Sequence, residues 1–207
     1  GLVYAPLGPT HLAVEDIAIL RTLPNMTIVA PCDADEMERL MLCTLDWPHP
    51  IYIRLGKGGD KIISQSNHKF QIGKSIVLKE ASDGMFITTG VMTQLAMEAS
   101  EILKDQGYNC GVMHMHTIKP LDTQSLKLWG PKLRSIISVE EHSIIGGLGT
   151  SILEYFSDLM PEHSHKIKRM GLPDRFASKY GNQESLLNHN GINIEALVSK
   201  MKMSLDI

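Results

Sequence analysis

Short apolar runs alternate with amphipathic segments along the whole chain, and this alternation restricts the possible folds more than any other feature. A helical pattern over residues 10–23 precedes an apolar run at 26–30, and a second helical pattern from Asp33 precedes an apolar run at 51–55. Helices and strands in such quick succession favour parallel strand pairing, because each helix returns the chain to the same edge of the sheet. The first quarter of the chain therefore predicts an α/β fold.

The same alternation resumes near residue 70 and predicts a second α/β unit, a three-layer αβα arrangement with a mostly parallel sheet. Its strands are predicted at 85–89, 109–116, 135–139 and 167–170, with an edge strand or hairpin within 69–79. Its helices are predicted at 93–106, 122–128, 146–160, 184–188 and 194–201. A glycine-rich and polar stretch separates the two units. We therefore expect domains at 1–60 and 70–207, joined by a linker at 61–69.

The first unit is too short to hold a core of its own. Its two apolar strands need neighbours on the sheet, and the sequence offers no obvious ones nearby. The chain also begins with Gly1 rather than methionine. We therefore expect the chain to be a fragment or a subunit.

Charge and composition exclude several functional classes. The formal net charge is −3 and aromatic residues make up 5% of the chain, which disfavours binding to nucleic acid. No apolar run approaches the roughly 20 residues of a membrane-spanning helix. The three cysteines are widely spaced, without the pairing pattern of a redox or metal motif. We expect a cytoplasmic protein that binds neither nucleic acid nor membrane.

His11 and Arg54 are the leading candidates for a binding site. His11 follows a Gly-Pro turn at the expected start of a helix, where backbone N–H groups favour anions. Arg54 closes the strand at 51–55, and sites in parallel sheets gather at the carboxyl ends of strands. An arginine there can bind phosphate or carboxylate in a bidentate manner. Spacing alone nevertheless favours a capping histidine and a surface arginine.

Several motifs resemble those of transketolase-like, thiamine diphosphate-dependent enzymes. In the first unit they are Gly8-Pro9-Thr10-His11, Glu15-Asp16-Ile17-Ala18, Leu23-Pro24-Asn25-Met26 and Ile51-Tyr52-Ile53-Arg54. In the second they are Thr117-Ile118-Lys119-Pro120-Leu121-Asp122, Val139-Glu140-Glu141-His142 and Gly146-Gly147-Leu148-Gly149. The resemblance covers nearly the whole chain. It implies the end of a pyrimidine-binding domain followed by a transketolase C-terminal domain.

The resemblance changes the interpretation of three residues. It implies that His11 helps to bind a sugar phosphate substrate and that Arg54 binds its phosphate. Leu7 departs from the pattern, because classical transketolases have an acidic residue there that contacts a substrate hydroxyl. An apolar leucine cannot accept that hydrogen bond, so the preferred sugar is open. The implied reaction is transfer of a two-carbon ketol unit between sugar phosphates.

Other parts that the resemblance implies have no counterpart in this chain. The catalytic glutamate and the aromatic platform for the cofactor ring precede the stretch that matches residue 1, and the motif that binds pyrophosphate and Mg²⁺ belongs to another domain or subunit. We therefore expect no catalytic residue in this chain and no bound thiamine diphosphate or Mg²⁺. The expected partners are an N-terminal transketolase domain or subunit and a second copy, through the C-terminal domain.

Two rival functions stay open at this point. The same scaffold serves deoxyxylulose-phosphate synthases and the β chains of 2-oxoacid dehydrogenases. Alternatively, the chain is a non-catalytic module for dimerisation or interaction, since the catalytic groups are missing.

The remaining polar motifs are weaker candidates for a binding site. Gly73-Lys74-Ser75 imitates the end of a phosphate-binding loop, but His68 stands where that loop needs a glycine. Gly146-Gly147-Leu148-Gly149 is expected to serve close helix packing rather than nucleotide binding. His114 and His116 have no third metal ligand in the sequence and are expected at a solvated strand end. Residues 140–142 are expected in a polar loop or against a neighbouring chain.

Overall fold

The structure is a computed structural model that describes residues 1–206, in which eight strands and seven α-helices are defined. The strands are β1 Thr27–Val29, β2 Ile51–Ile53, β3 Ile76–Lys79, β4 Gly84–Thr88, β5 Cys110–His114, β6 Thr117–Lys119, β7 Ser135–Ser143 and β8 Ile167–Leu172. The helices are α1 Asp16–Arg21, α2 Ala34–Thr44, α3 Met92–Asp105, α4 Thr123–Trp129, α5 Leu148–Leu159, α6 Gln183–His189 and α7 Ile194–Ser204. None of the described helices combines the length and the apolar character needed to cross a bilayer.

The larger sheet has the strand order β3-β5-β4-β7-β8. Four of its strands are parallel, and β3 lies antiparallel at the edge. Successive side chains of β4 alternate between two cores: Phe86 packs with α3, α6 and α7, whereas Met85 and Ile87 pack with α4 and α5. Because helices cover both faces, the predicted αβα arrangement with a mostly parallel sheet is confirmed.

The smaller sheet has the order β2-β1-β6 and joins distant parts of the chain. β1 and β2 are parallel, as the sequence predicted, and β6 pairs with β1 antiparallel. The expectation that the chain offers no neighbour to these strands is therefore wrong. The neighbour follows β5 and is separated from β1 by more than eighty residues, so no local pattern could reveal it.

The helix predicted at 10–23 is shorter than expected. Residues Pro9–His11 form a single 3₁₀ turn, Leu12 is extended, and α1 begins only at Asp16. Gly8 has a φ of 73°, which an L side chain rarely adopts and which bends the chain before the turn. The Val14 carbonyl accepts a hydrogen bond from the Ser143 N–H at 2.8 Å. This tertiary contact holds the segment extended where its sequence alone favours a helix.

Helix α2 starts directly after Asp33, where the sequence predicts the helical pattern to begin. The Asp33 carboxylate accepts a hydrogen bond from the Glu36 N–H at 2.9 Å, which satisfies one of the free donors of the first turn. Glu36 does not complete a capping box, because its carboxylate accepts instead from the Cys32 N–H at 2.7 Å. The chain between β2 and β3 has no helix or strand, but Asp33 also binds this stretch at Ile63 and Ser64.

Candidate functional site

The candidate site lies at a junction where strand ends of the two sheets meet. β1 continues into Ala30, whose N–H donates to the His116 carbonyl at 2.7 Å and whose carbonyl accepts from Gly90, just after β4, at 3.1 Å. The chain after β2 and the last residues of β7 reach the same place, through Arg54 and Glu141. Such meetings of carboxyl ends are where parallel α/β folds bind ligands.

Arg54 binds three different parts of this junction. Its Nε donates to Asp16 Oδ2 at 2.9 Å, and its Nη2 donates to the carbonyls of Ala13 and Glu141 at 2.8 Å each. Both members of the Arg54–Asp16 ion pair are largely buried, with side-chain exposures of 10% and 11%. Arg54 therefore mainly connects Ala13 and Asp16 in the first domain to Glu141 in the second, and these contacts are called the Arg54 clasp below. Among the described contacts, its Nη1 is the group left for a ligand.

Asp16 is the acceptor on which this clasp depends. Its Oδ2 also accepts a hydrogen bond from the Tyr52 hydroxyl at 2.8 Å. Burial opposes ionisation of Asp16, but the charge of Arg54 and the Tyr52 hydrogen bond outweigh it and hold the pKa of the carboxyl below its ordinary value. Burial and the same hydrogen bond raise the pKa of Tyr52 to about 12. Asp16 is thus a carboxylate at neutral pH, and Tyr52 a hydroxyl donor.

His11 is exposed in the 3₁₀ turn that precedes the junction. Its Nδ1 lies 2.9 Å from Thr10 Oγ1, and its neighbour Leu7 is half exposed. The segment after His11 runs directly to Arg54, because Arg54 binds the carbonyl of Ala13, two residues further on. The two residues predicted for the site are thus connected through one short segment, with the imidazole exposed and in contact with Thr10, and the guanidinium mostly engaged.

A small pocket of about 20 Å³ opens beside Arg54. Its lining includes Thr89, Gly90, Gly56 and Glu141. Glu141 Oε1 accepts a hydrogen bond from Gln183 Nε2 at 2.7 Å. The pocket thus presents one cation and one acid, which suits a ligand with both an anionic group and hydrogen-bond donors such as hydroxyls.

Residues 140–142 are neither a loop nor a surface, so that prediction is wrong. They continue strand β7, and all three side chains are buried. His142 Nε2 accepts a hydrogen bond from the Ala18 N–H at 3.2 Å, which ties α1 to the end of β7. Burial lowers the pKa of His142, so the imidazole is neutral near pH 7.

Glu140 fills the N-terminus of helix α5. Its two carboxyl oxygens accept hydrogen bonds from the Leu148 and Gly149 N–H groups at 2.7 and 2.9 Å. A Cβ on Gly147 would lie 1.9 Å from Glu140 Oε2, so only glycine permits this approach. The glycine run thus packs helix α5 against the sheet, as predicted. The N–H groups at the start of this helix bind the Glu140 carboxyl group.

Burial raises the pKa of Glu140 to about 7, even though both backbone hydrogen bonds and nearby arginines favour its charged form. Between about pH 4.5 and 7 the unfolded chain loses this proton while the folded chain keeps it, so stability falls as the pH rises. The Glu140→Gln variant has no carboxyl group at this position and therefore lacks this pH dependence. Between pH 4.5 and 7 we expect the difference in free energy of unfolding between variant and wild type to change by roughly 3 kcal/mol in favour of the variant.

Urea unfolding of both proteins at a series of pH values measures this difference. Parallel stability curves for the variant and the wild type across this range would contradict the assignment. A constant offset from the changed hydrogen bonds does not affect the test, since only the pH dependence is compared.

His114 and His116 are completely buried, so the prediction of a solvated strand end is wrong. His114 Nε2 lies 2.8 Å from Glu36 Oε2, and Cys32 lies beside the same carboxylate. Burial and the neighbouring His114 lower the pKa of His116 to about 3, which keeps that ring neutral. Burial, followed by the charges of Glu36 and Asp33, raises the pKa of the Cys32 thiol.

Glu36 was not singled out in the sequence as a site residue, and Asp16 and Glu141 were named only within longer motifs, without a role of their own. A polar residue in an otherwise apolar stretch could have drawn attention to Glu141, because a charge that follows a buried strand needs a partner. No comparable local signal exists for Glu36, which lies on an ordinary amphipathic helix.

Comparison with protein families identifies two domains along the chain. Residues 1–59 match the model described as "Transketolase, pyrimidine binding domain", and residues 73–197 match "Transketolase, C-terminal domain". The two matches stand in the same order as the resemblance noted in the sequence.

Two curated relatives illustrate the range of similar proteins. One of the subunits of the apulose-4-phosphate transketolase of Phocaeicola vulgatus is 33% identical over 95% of this chain and 62% of its own length. The 1-deoxy-D-xylulose-5-phosphate synthase of Methylacidiphilum infernorum is 32% identical over 95% of this chain and 31% of its own. The chain thus spans less than two thirds of either relative.

Among solved structures, one described as "Split gene transketolase, inactive beta4 tetramer" superposes with a TM-score of 0.86 and 31% identity. The match covers 96% of this chain and 64% of that one. The similarity therefore extends to both sheets and to the junction between them.

Proposed function

Because this chain belongs to the transketolase family, we propose that it is the C-terminal portion of an enzyme that transfers a two-carbon ketol unit between sugar phosphates. The observation that carries the proposal is the junction, where an exposed His11 and the guanidinium of Arg54 are joined by one segment at the carboxyl ends of the strands. We propose boundaries of 1–60 and 70–207 for the two domains, with 61–69 between them. A reducing, cytoplasmic location goes with this proposal and is supported by three cysteines that form no disulfide.

In this proposal, His11 and Arg54 hold the anionic substrate. The exposed imidazole donates a hydrogen bond to the substrate, and the free Nη1 of Arg54, which lines the small pocket, contacts its phosphate. Neither group breaks or forms a bond. Their contribution is to fix the substrate's position, which is worth most when the surrounding side chains are themselves immobile.

The described residues do not fit the Mg²⁺ and pyrophosphate of thiamine diphosphate. The group of three potential metal ligands found in residues 1–206 contains a thiol and an imidazole, whereas Mg²⁺ prefers oxygen ligands in an octahedral arrangement. We propose that an N-terminal domain or subunit holds the cofactor, which supplies the carbanion chemistry of ketol transfer when bound. This chain alone is then inactive.

The proposed partners are that N-terminal domain or subunit and a second copy of this chain, paired through the C-terminal domain. The Phocaeicola vulgatus relative is named as one subunit of its transketolase, which supports a divided enzyme. The description of the split-gene structure as a β4 tetramer supports association between copies.

Replacing His11 by alanine in the complete enzyme tests the proposal. We expect KM for a ketose phosphate to rise about tenfold or more, the equivalent of one lost hydrogen bond to a charged group, with kcat nearly unchanged. His49→Ala is the matched control, since His49 is also exposed but precedes β2 at the opposite end of the strand. A KM in His11→Ala that stays within twofold of wild type would refute the role of His11.

A synthase reaction is the second candidate, and the similarity to 1-deoxy-D-xylulose-5-phosphate synthase favours it. The same holoenzyme supplied with pyruvate, or with a ketose phosphate, and an aldehyde acceptor distinguishes the two. Release of carbon dioxide from pyruvate identifies the synthase or a 2-oxoacid dehydrogenase. Product from the ketose phosphate alone identifies the transketolase, and no product from either supports a non-catalytic module.

A further inference from the structure

Three potential metal ligands meet in the interior, away from the junction pocket. Cys32 precedes α2, Glu36 lies in the first turn of α2, and His114 ends β5. The Cys32 Sγ, a Glu36 carboxylate oxygen and a ring nitrogen of His114 all lie within 4.8 Å of one another, and all three residues are buried. This group is called the buried triad below.

The triad and its immediate surroundings contain polar atoms without a partner. Glu36 is fully buried, and its Oε1 has no hydrogen-bond partner among the described residues. The nearby His116 is also fully buried, and its Nε2 likewise has no hydrogen-bond partner among the described residues. A buried carboxylate oxygen without a partner is costly, and a cation is the ligand that removes this cost.

Surrounding hydrogen bonds orient the triad. Thr93 Oγ1 donates to the Gly90 carbonyl at 2.8 Å and lies 2.9 Å from His114 Nδ1, so it can accept the proton of that nitrogen. The other nitrogen, Nε2, then faces Glu36 Oε2 at 2.8 Å with its lone pair. At that distance a proton shared by the two atoms removes the repulsion between the lone pair and the carboxylate, and a metal ion can replace the proton once the two groups move slightly apart.

Access to the triad is available from one side. Cys32 and Asp33 form part of the lining of an open groove of about 210 Å³, together with Met37, Leu55 and Gly56. Cys32 is thus the member of the triad that lies next to this groove, although it is itself buried. The triad therefore has potential ligands, orienting partners and a groove beside it, which are features that a metal site requires.

We propose that Cys32, Glu36 and His114 bind a zinc-class divalent ion that links the two domains. A thiolate, an imidazole and a carboxylate match Zn²⁺ and exclude Mg²⁺ or Ca²⁺ as the preferred ion. Ligand atoms around tetrahedral Zn²⁺ lie roughly 3.3–3.7 Å apart, so small side-chain rotations suffice. Binding displaces the thiol proton and the proton between His114 and Glu36. Because Cys32 and Glu36 precede the linker and His114 follows it, the ion joins both domains.

Metal titration of the chelator-treated protein tests this site, independently of the proposed enzymatic function. We expect one Zn²⁺ per chain by elemental analysis and a higher melting temperature with Zn²⁺ but not with Mg²⁺. Co²⁺ should bind with the near-ultraviolet absorption of a sulfur-to-cobalt transition. Binding of less than one Zn²⁺ per chain, or a Co²⁺ spectrum without the thiolate absorption, would overturn the proposal without any substitution.

Substitution of single cysteines identifies the ligand. Cys32→Ala should weaken Zn²⁺ binding by at least about 100-fold, because a direct ligand is lost. Cys110→Ala is the matched control, since Cys110 is equally buried but begins β5 at its other end. Equal Zn²⁺ affinity in Cys32→Ala and Cys110→Ala would overturn the assignment of Cys32.

Discussion

Replacing Arg54 by alanine should lower the free energy of unfolding by roughly 3–5 kcal/mol, as expected when one partner of a buried ion pair is removed. The substitution leaves the Asp16 carboxylate with only the Tyr52 hydroxyl as donor, and it removes the donor to the carbonyls of Ala13 and Glu141. Because Ala13 and Asp16 lie in the first domain and Glu141 in the second, we expect the substitution to destabilise both domains together. Urea unfolding of the isolated chain measures the loss.

Arg175→Ala provides the control for this substitution. Arg175 is exposed and makes one hydrogen bond to Asn190, so its removal should change stability by no more than about 0.5 kcal/mol. Similar stabilities of the Arg54 and Arg175 variants would show that the clasp contributes nothing. Arg54→Lys should be intermediate, since an ammonium keeps the charge but cannot reach three acceptors in the geometry of a guanidinium.

The pH dependence separates the ion pair from simple loss of packing. The pKa of Asp16 is lower in the folded chain than in the unfolded chain, so its contribution is complete above the ordinary aspartate pKa and decreases as the pH falls below it. The stability difference between wild type and Arg54→Ala should therefore shrink on acidification. In the complete enzyme, Arg54→Ala should also raise KM for the phosphorylated substrate if the proposed role is correct.

Replacing Asp33 by alanine should have a comparably large effect, also roughly 3–5 kcal/mol. Asp33 Oδ1 accepts hydrogen bonds from Glu36 N–H and the Ser64 hydroxyl, and Oδ2 accepts from the Ile63 and Ser64 N–H groups at 2.8 and 2.7 Å. One side chain thus caps α2 and fixes the segment that leads to the second domain. Thermal or urea unfolding reports the loss.

Asn193→Ala is the matched control, because Asn193 caps α7 through one hydrogen bond to Ala196. It should cost about 1 kcal/mol. Burial opposes ionisation of Asp33, but Ser64 and the backbone N–H groups outweigh it and hold its pKa at about 2. The contribution of Asp33 is therefore present above about pH 4 and is lost as the pH falls through 2. An Asp33 variant no less stable than Asn193→Ala would contradict the argument.

Most of the secondary structure was predictable because its signals are local. The apolar runs before Arg54 and within β4 and β7 form strands, and helices begin at Asp33 and Asp122 as predicted, where both side chains act as caps. The helix at 10–23 was predicted too long. Its first half has helical spacing, but pairing of Val14 with Ser143 outweighs that weak preference.

The polar clusters were harder to predict, because burial depends on which distant segments cover a residue. Glu140 has the sequence context of a loop acid, yet the α5 N-terminus lies directly over it. His114 and His116 end an apolar strand, and nothing nearby shows that α2 and the segment before β3 close over them. A charge at a strand end indicates a partner without identifying it.

The sequence by itself determined the α/β class, the mostly parallel sheet and the family resemblance, because periodicity and short motifs are carried by neighbouring residues. It also placed His11 and Arg54 as candidates. Only the tertiary structure decided that β6 completes the first sheet, that Arg54 is engaged with Asp16, and that Cys32, Glu36 and His114 converge. Each of these depends on contacts between segments tens of residues apart, whose pairing is selected by the burial and hydrogen bonding of the whole fold.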